Sequence, residues 1–402
     1  MNSDPIPVYC DLLDPDRSSE FAVPLKFLEN LARHRSIIVS TFARLENGRA
    51  LDDWIAQRGL GDRLRYLMRP FRYSAIDGPH ATKLRLLIDV LIAQWDFFRR
   101  TQDQPIVAKI GMVHFLFNFL PLLVRRKPMV MGPVSGFELF PLSMAWPFLS
   151  WRDRCYYSAF NGMTALLRMA FRLLARFRPE TILICATPGD RDYVVGGRSS
   201  MAVRTLVASE VAMPLMQSPD SGARRDILWS GAMIARKAPM LALDAIAAVL
   251  CDYPETRAVM LGEGPLLGAV RQRHAALPDD VRSRISLPGG VPLEQSQRRI
   301  GAAALLLVTS WREVNSFVVY EALAHGVPIV SMPVSGMRNT VGRFGLLALA
   351  GKDRIGMLSR AMAKILSDQA SYRARADSGI AILQREDREN LDRAWQMAGI
   401  AA

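Results

Sequence analysis

The sequence predicts an α/β fold with two parallel sheets, one in each half of the chain. Its 402 residues exceed the usual size of a single domain, so two domains of similar length are expected. Short β-branched segments alternate with longer helical patterns, which is typical of βαβ units with parallel strands. With 50% hydrophobic and 22% charged residues, the composition is that of a globular protein and excludes an intrinsically disordered one.

The alternation is clearest in the C-terminal half. The predicted strands lie at 227–229, 258–261, 285–287, 303–308 and 328–331. The predicted helices between them lie at 240–250, 266–276, 293–300 and 317–325. Ligands of such sheets bind outside the carboxyl ends of the strands, so functional residues are expected in the loops that follow the strands.

The N-terminal half alternates less regularly. Its predicted strands lie at 7–10, 36–40, 106–109, 129–131 and 181–185, and its long helices at 21–33, 82–99 and 156–176. Between the halves, residues 213–225 are rich in turn-forming residues and are predicted to be a linker. We therefore expect Rossmann-like domains at 1–212 and 226–384, and a C-terminal helix at 385–402 that packs back on the first domain. A cleft between two such domains is the expected ligand site.

The most informative segment is 310–330. A predicted strand ends at a polar loop that contains Glu313, and the next helix begins near Asn315 or Ser316 and contains Glu321. The unpaired N–H groups of a helix start bind phosphate oxygens readily. Acidic residues on both sides of such a start suit a ligand with hydroxyl-bearing sugars on both sides of a diphosphate. A nucleotide sugar is such a ligand.

This segment has a Glu, seven residues, and a second Glu followed by Ala-x-x-x-Gly-x-Pro, which resembles the donor motif of glycosyltransferase family 4. Three segments before it, at 227–245, 258–265 and 286–292, resemble the family's other donor motifs in the same order. The resemblance covers 227–347 and is specific because four motifs agree in order. It implies a retaining enzyme of bacterial polysaccharide assembly. The implied fold is GT-B, in which two Rossmann-like domains with parallel sheets face each other across a cleft.

The resemblance also implies roles for individual residues. Glu313 would lie near the hydroxyl groups of the transferred sugar, and Glu321 would bind the donor ribose. Lys237, helped by Arg236, would neutralise the diphosphate leaving group, where negative charge grows as the bond breaks. The other residues expected to bind the donor are Gly231, Gly262, Gly264, Asn315, Ser316 and Phe317. The alternative is that Glu321 is an exposed helix residue and that the two cations are the solvated start of a helix.

The N-terminal half matches the family less closely. His114 follows a predicted strand, as does a family histidine that faces the sugar; the alternative is a core histidine with satisfied hydrogen bonds. Residues 132–138, Gly-Pro-Val-Ser-Gly-Phe-Glu, resemble a family loop that would contact the sugar or acceptor. The candidates in this loop are Gly132, Ser135, Gly136 and Glu138. Glu138 is alternatively a solvated carboxylate.

The sequence departs from the family pattern at two places. Residues 12–25 contain no glycine, although the family has a glycine-rich loop after its first strand. Ala232 stands where the family has an arginine, so Arg236 is expected to replace that arginine. A catalytically inactive protein of the same fold is therefore one alternative.

Positive charge indicates a polyanionic partner, because the net charge is +13. The stretch 63–73 mixes basic and aromatic side chains, which is typical of a membrane interface. Its members are Arg63, Arg65, Tyr66, Arg69, Phe71, Arg72 and Tyr73. A second basic and aromatic group lies at 95–100. The alternative for both is a buried apolar face beside a solvated basic face.

A membrane interface implies a peripheral enzyme at the inner leaflet of the cytoplasmic membrane. The acceptor would then be a glycan or a lipid-linked glycan, in cell-surface or exopolysaccharide biosynthesis. The N-terminus does not resemble a signal peptide, and 110–124 is too short and polar for a membrane span. The four cysteines have neither zinc-site nor disulfide spacing, which fits a reducing cytoplasm.

The predicted reaction is the transfer of a hexosyl group from a UDP- or GDP-sugar, with no metal and no other cofactor. Two acidic pairs, Asp14 with Asp16 and Asp190 with Asp192, are the alternative metal ligands, but neither clearly follows a strand. A nucleotide-sugar epimerase of similar build is a second alternative. A nucleic-acid-binding protein is a third, supported by charge alone and by none of the usual motifs, so no nucleic acid partner is expected.

Overall fold

The computed structural model describes residues 4–11, 13–15, 23–43, 47–70, 80–111, 114–196, 203–208, 224–334, 336–348 and 351–401. The chain divides into two compact units. The first contains 1–137, 164–212 and 385–402, and the second contains 138–163 and 213–384. Most of the predicted linker, 213–223, lies outside the described residues.

The first unit is built on a parallel sheet of seven strands in the order β3-β2-β1-β4-β5-β6-β7. The strands are β1 Ile6–Cys10, β2 Ile37–Ala43, β3 Leu64–Pro70, β4 Val107–Ile110, β5 Met129–Val134, β6 Thr181–Cys185 and β7 Arg204–Val207. The helices up to the end of β7 are α1 Val23–His34, α2 Asn47–Gln57, α3 His80–Arg100, α4 Phe119–Val124, α5 Leu142–Ala145, α6 Trp151–Arg176 and α7 Pro188–Val195.

Aromatic side chains fill the core of this sheet. Phe98, Phe115, Phe137 and Phe171 are almost fully buried and belong to one cluster. The carboxylate of Asp11, just after β1, forms a fully buried ion pair of 2.5 Å with Lys109 in β4. The side-chain amide of Gln94 donates a hydrogen bond of 2.6 Å to the same carboxylate, which reduces the cost of burying the charged pair.

The five strands expected in this half are present, and β3 and β7 are additional. Strand β3 is the edge strand of the sheet. Edge strands tolerate exposed charged residues because water can solvate them, which explains why an arginine-rich stretch forms a strand. The segment after β4 is a short 3-10 turn, Phe115–Asn118, followed by α4.

The second unit is built on a parallel sheet of six strands in the order β10-β9-β8-β11-β12-β13. The strands are β8 Asp226–Ser230, β9 Arg257–Leu261, β10 Ile285–Gly289, β11 Leu305–Val308, β12 Ile329–Ser331 and β13 Leu346–Leu347. The helices are α8 Pro239–Asp252, α9 Leu267–Ala275, α10 Asp279–Arg282, α11 Leu293–Ala302, α12 Phe317–Ala324, α13 Met337–Phe344, α14 Arg354–Ser367, α15 Gln369–Asp377 and α16 Gly379–Met397.

The C-terminal residues lie against α1. Lys26 forms an ion pair of 2.5 Å with Asp387, and the indole N–H of Trp395 donates a hydrogen bond of 2.5 Å to the side-chain oxygen of Asn30. Trp395 is fully buried there. The end of α16 is therefore part of the first unit. Within the described part of the chain, we find no helix with the length and hydrophobicity that crossing a bilayer requires.

Candidate functional site

The sheet order of the second unit places two loops side by side. Strands β8 and β11 are neighbours, although β9 and β10 lie between them in sequence. The chain leaves β8 toward one edge of the sheet and leaves β11 toward the other, so their carboxyl ends form the switch point where ligands of such sheets bind. The loop after β8 contains Arg236 and Lys237, and the loop after β11 contains Glu313.

These three side chains form an ion cluster. The Lys237 ammonium lies 2.5 Å from Oε2 of Glu313, and Nη1 of Arg236 lies 3.1 Å from the same oxygen. Glu313 is 9% exposed. The alternative interpretation treated Lys237 and Arg236 as the solvated start of a helix. The structure does not support it, because both side chains contact a largely buried carboxylate.

Hydrogen bonds tie the backbone of the Lys237 loop to the β11 loop. The Thr309 hydroxyl donates to the carbonyl of Lys237 at 2.8 Å and accepts from the indole N–H of Trp229 at 3.0 Å. The backbone N–H of Trp311 donates to the carbonyl of Arg236 at 2.9 Å. Ala238 has a positive φ of 50°, which costs free energy for a residue with a Cβ. Thr309 and Trp311 therefore hold the loop that carries the two cations, which ends at Ala238 in an unfavourable backbone conformation.

Thr309 is thus a positioning residue that the sequence motifs do not identify. We expect Thr309→Val to lower kcat/KM for the donor about tenfold, because a buried hydrogen-bonded carbonyl would lose its partner and Lys237 would be held less firmly. Steady-state kinetics on the purified variant measure this change. Thr309→Ser keeps the hydroxyl and should restore most of the activity. If Thr309→Val had wild-type kinetics, the proposed positioning role would be wrong.

Residues 138–163 pack on the loop that contains Glu313. The side chain of Arg312 donates a hydrogen bond of 3.0 Å to the carbonyl of Glu138 and lies over the ring of Phe160. The rings of Phe148 and Trp311 are 5.4 Å apart. This part of the second unit therefore supports the loop from a region of sequence that the donor motifs do not cover.

Glu321 lies in α12 and is 8% exposed, so it is not the exposed helix residue of the alternative interpretation. Burial raises the pKa of its carboxyl group, and a hydrogen bond with Gln297 partly offsets that rise. Ser316 is the N-cap of α12 and has an extended backbone, and Phe317 is the first helical residue. The Tyr320 hydroxyl donates to the side-chain oxygen of Asn315 at 2.7 Å. The start of α12 thus lies between the two acidic residues, as the motif predicts.

The raised pKa of Glu321 predicts a pH-dependent effect on stability. The folded state retains this proton to a higher pH than the unfolded chain, whose carboxyl has the ordinary pKa of 4.5. Stability therefore falls as the pH rises from about 4.5 through the raised pKa. We expect Glu321→Gln to raise Tm by about 2 °C at pH 8 and to equal the wild type below pH 4.5. Thermal unfolding across this pH range measures it, and a variant less stable than the wild type at pH 8 would contradict it.

Three predicted glycines, Gly231, Gly262 and Gly264, bring the loops after β8 and β9 together. Gly262 and Gly264 have positive φ values of 132° and 148°. A Cβ on Gly262 would overlap the carbonyl of Gly231, and one on Gly264 would lie 2.7 Å from the carbonyl oxygen of Met233. These glycines are required by backbone packing beside the ion cluster. Gly336, which the motifs did not single out, allows close backbone packing against the loop after β11, since a Cβ there would overlap the carbonyl of Val314.

In the first unit, the structure brings His114, Ser135 and Gly136 together. His114 and Ser135 form an isolated parallel bridge, and an added Cβ on Gly136 would lie 2.7 Å from the His114 ring. His114 is half-buried. Gly132 lies inside β5, where a Cβ would lie 2.6 Å from Ile184, so packing explains this glycine. Glu138 belongs to the second unit.

The described part of the stretch 63–73 belongs mainly to the edge strand β3. Tyr66 donates a hydrogen bond of 2.7 Å to Asp52, and Arg69 forms an ion pair of 3.0 Å with Asp96. Two side chains of the stretch are therefore engaged with acidic residues of this chain. Arg63 and Arg65 are exposed. Phe71, Arg72 and Tyr73 lie outside the described residues.

The structure describes three of the four residues in the two acidic pairs. Asp190 is buried and forms hydrogen bonds with the N-cap Thr187 of α7, and Asp192 pairs with Arg191. Asp14 is buried, and Asp16 lies outside the described residues. In the described ranges, no group of three or more His, Cys, Asp or Glu residues has the arrangement of a metal site.

Sequence comparison finds similarity within the second unit. Residues 224–368 match the family described as Glycosyl transferases group 1. A D-inositol 3-phosphate glycosyltransferase of a Nocardioides species is 30% identical over 138 residues. That match covers 30% of this chain and 30% of the relative, so the chain spans only about 30% of the length of this curated relative.

Solved structures resemble the whole chain in fold. HepE of Anabaena, solved with UDP and glucose, matches with a TM-score of 0.58 at 16% identity, covering 98% of both chains. Sucrose-phosphate synthase of Thermosynechococcus elongatus gives the same values. TarM of S. aureus, solved with fondaparinux, alpha-GlcNAc-glycerol and UDP, matches with a TM-score of 0.60 at 10% identity, covering 98% of this chain and 99% of TarM. The predicted two-sheet α/β architecture is confirmed. Residues 224–368 therefore match the model of the group 1 glycosyl transferases, and the chain has the GT-B fold of the solved structures.

Proposed function

We propose that the chain is a glycosyltransferase that moves a hexosyl group from a UDP- or GDP-sugar to a glycan or lipid-linked acceptor, with retention of configuration. The observation that supports this most is the ion cluster of Glu313, Lys237 and Arg236, at the switch point of a group 1 domain. It combines fixed positive charge with a carboxylate that can accept hydrogen bonds from sugar hydroxyl groups.

The proposed mechanism uses this charge at the leaving group. As the bond between the anomeric carbon and the phosphate oxygen breaks, negative charge grows on the nucleoside diphosphate. A lysine ammonium has three donor hydrogens, so Lys237 can bind Glu313 and a phosphate oxygen together. Fixed cations aimed at the developing charge stabilise the transition state more than the ground state. The mechanism therefore needs no metal ion.

The other proposed contacts with the donor lie at the start of α12 and within this helix. The N–H groups of Ser316 and Phe317 are proposed to bind the diphosphate, as helix starts do. Glu321 is proposed to bind the ribose hydroxyls. A buried carboxylate that gains two hydroxyl donors recovers part of its lost hydration. HepE and TarM are described in complex with UDP, which favours UDP as the nucleotide. His114, with Ser135 and Gly136, is the proposed sugar-facing element of the first unit.

The acceptor and the setting are proposed from charge and surface. The net charge of +13 suits an acceptor with phosphate groups and an anionic membrane surface. We propose peripheral binding at the inner leaflet of the cytoplasmic membrane and a role in cell-surface or exopolysaccharide biosynthesis.

A donor screen tests the proposed function. The purified chain is incubated with a panel of UDP- and GDP-sugars, and release of nucleoside diphosphate is measured along with the thermal shift that each nucleotide causes. We expect hydrolysis of one donor class and stabilisation by its nucleotide, but no stabilisation by duplex DNA at moderate salt. If no nucleotide stabilised the protein and none of its sugars were hydrolysed, the proposal would be wrong.

A further inference from the structure

Helix α6, Trp151–Arg176, exposes apolar side chains along its whole length. Trp151 is 69% exposed, Leu166 64% and Met169 61%. The other large apolar residues on this face are Tyr156, Met163 and Leu173. The helix has 26 residues, so the face is about 39 Å long at the usual helical rise. Soluble proteins seldom expose a continuous apolar surface of this length without a binding partner.

The exposed residues lie on one side of α6. Thr164, Phe171 and Ala175 are its buried residues. At about 100° per residue, they point opposite to Leu166 and Leu173, and the exposed set spans roughly 140° of the helix. The helix is therefore regularly amphipathic, with its exposed apolar residues on one side and its core-facing residues on the opposite side.

The charges of α6 indicate the chemistry of the partner. The helix contains five arginines and a single acidic residue, Asp153. Asp153 accepts a hydrogen bond of 2.6 Å from the Ser150 hydroxyl. Arg152 and Arg176 are exposed near the two ends of the stripe. The exposed face is therefore apolar in the middle and basic at both ends.

The surface continues in the first unit past the end of α6. Phe177 is 67% exposed and follows the helix directly. The Arg178 guanidinium contacts the carbonyls of Leu122 and Leu123, which places the end of α4 next to the end of α6. Leu123 is 56% exposed. Arg126 and Lys127, which follow α4, are exposed as well. The apolar surface thus continues to α4 and ends there in two further cations.

We propose that the exposed face of α6, with Phe177 and Leu123, is a docking surface for an anionic lipid bilayer. A helix with an apolar face and basic flanks lies in the plane of the membrane interface, with its apolar side chains among the acyl chains and its cations at lipid phosphates. A second copy of the chain fits less well, because a basic face would meet the same basic face. This assigns the membrane contact to α6, whereas the sequence pointed to 63–73. The link between this membrane contact and a lipid-linked acceptor rests on the proposed function.

Vesicle co-sedimentation of the full chain tests this proposal. We expect binding to phosphatidylcholine vesicles containing phosphatidylglycerol, and at least about tenfold weaker binding by the triple variant Leu166→Gln, Met169→Gln, Leu173→Gln, because three apolar side chains no longer enter the bilayer. Binding should fall with rising salt. The control, Leu67→Gln with Arg65→Gln, changes exposed residues of the edge strand β3 and should bind like the wild type.

Three results would overturn the proposal. They are absence of wild-type binding to anionic vesicles, unchanged binding by the triple variant, and loss of binding in the β3 control alone. Light scattering is run in parallel. A wild-type dimer that the triple variant converts to a monomer, without vesicle binding, would assign the face to self-association instead. UDP-induced thermal shifts of all variants report separately on the nucleotide site, so failure of the membrane proposal is distinct from failure of the proposed function.

Discussion

Glu313→Gln is expected to lower kcat for glycosyl transfer about a thousandfold while the protein stays folded. The carboxylate accepts hydrogen bonds from Lys237 and Arg236 and fixes both cations at the switch point. Glutamine keeps the size of the side chain but removes the charge, so the cations lose their anchor and the sugar loses an anionic acceptor. Transfer kinetics with the preferred donor measure the loss.

The same variant should bind free UDP at least as tightly as the wild type, because the neutral glutamine no longer repels the negatively charged diphosphate beside the two cations. Isothermal titration calorimetry measures this affinity. The matched control is Glu255→Gln, which removes an exposed carboxylate of the same unit that is paired with Arg225 and should leave kcat unchanged. Retained turnover in Glu313→Gln would contradict the assigned role.

Lys237→Met is expected to lower kcat/KM for the donor by about 10² to 10³ and to weaken UDP binding at least tenfold. Methionine keeps the apolar stem but cannot stabilise the growing charge of the leaving diphosphate. The variant also leaves the largely buried Glu313 carboxylate with Arg236 as its remaining cation, which costs stability. Kinetics, UDP calorimetry and thermal unfolding measure the three effects.

Lys364→Met provides the control for this variant, because Lys364 is an exposed lysine in α14 of the same unit. It should bind UDP like the wild type. The opposite effects expected for Glu313→Gln and Lys237→Met on UDP affinity separate the two roles. Equal weakening by both variants would indicate general damage to the loops.

The sequence predicts the strands of the second unit closely because they are buried, β-branched runs between clear turns. Strand β8 was expected at 227–229 and forms at Asp226–Ser230. Strand β3 was not predicted, since its exposed arginines are compatible with a strand only at a sheet edge. Edge position depends on strand order, which an alternating βαβ pattern does not determine.

The sequence proposes the residues of the candidate donor site but not all of the contacts among them. The motifs identified Glu313, Lys237 and Glu321, yet the pairing of Glu313 with Lys237 depends on β8 and β11 being neighbours. Thr309 could not be found from the sequence, because its hydrogen bond to Lys237 joins residues 72 positions apart.

The exposed face of α6 was hidden for a different reason. Leu166 and Leu173 have helical spacing, which in a soluble protein usually indicates a core-facing side. In the structure, Phe171 and Ala175 face the core instead, so only the packing distinguishes an exposed apolar stripe from a buried one.

The most direct test of the central claim is a crystal structure of the chain with UDP. The nucleotide should lie outside the carboxyl ends of β8 and β11. A diphosphate oxygen should be about 3 Å from the Lys237 ammonium, and a ribose hydroxyl should reach the Glu321 carboxylate. UDP bound elsewhere, with Lys237 and Glu321 directed away from it, would contradict the proposed donor site.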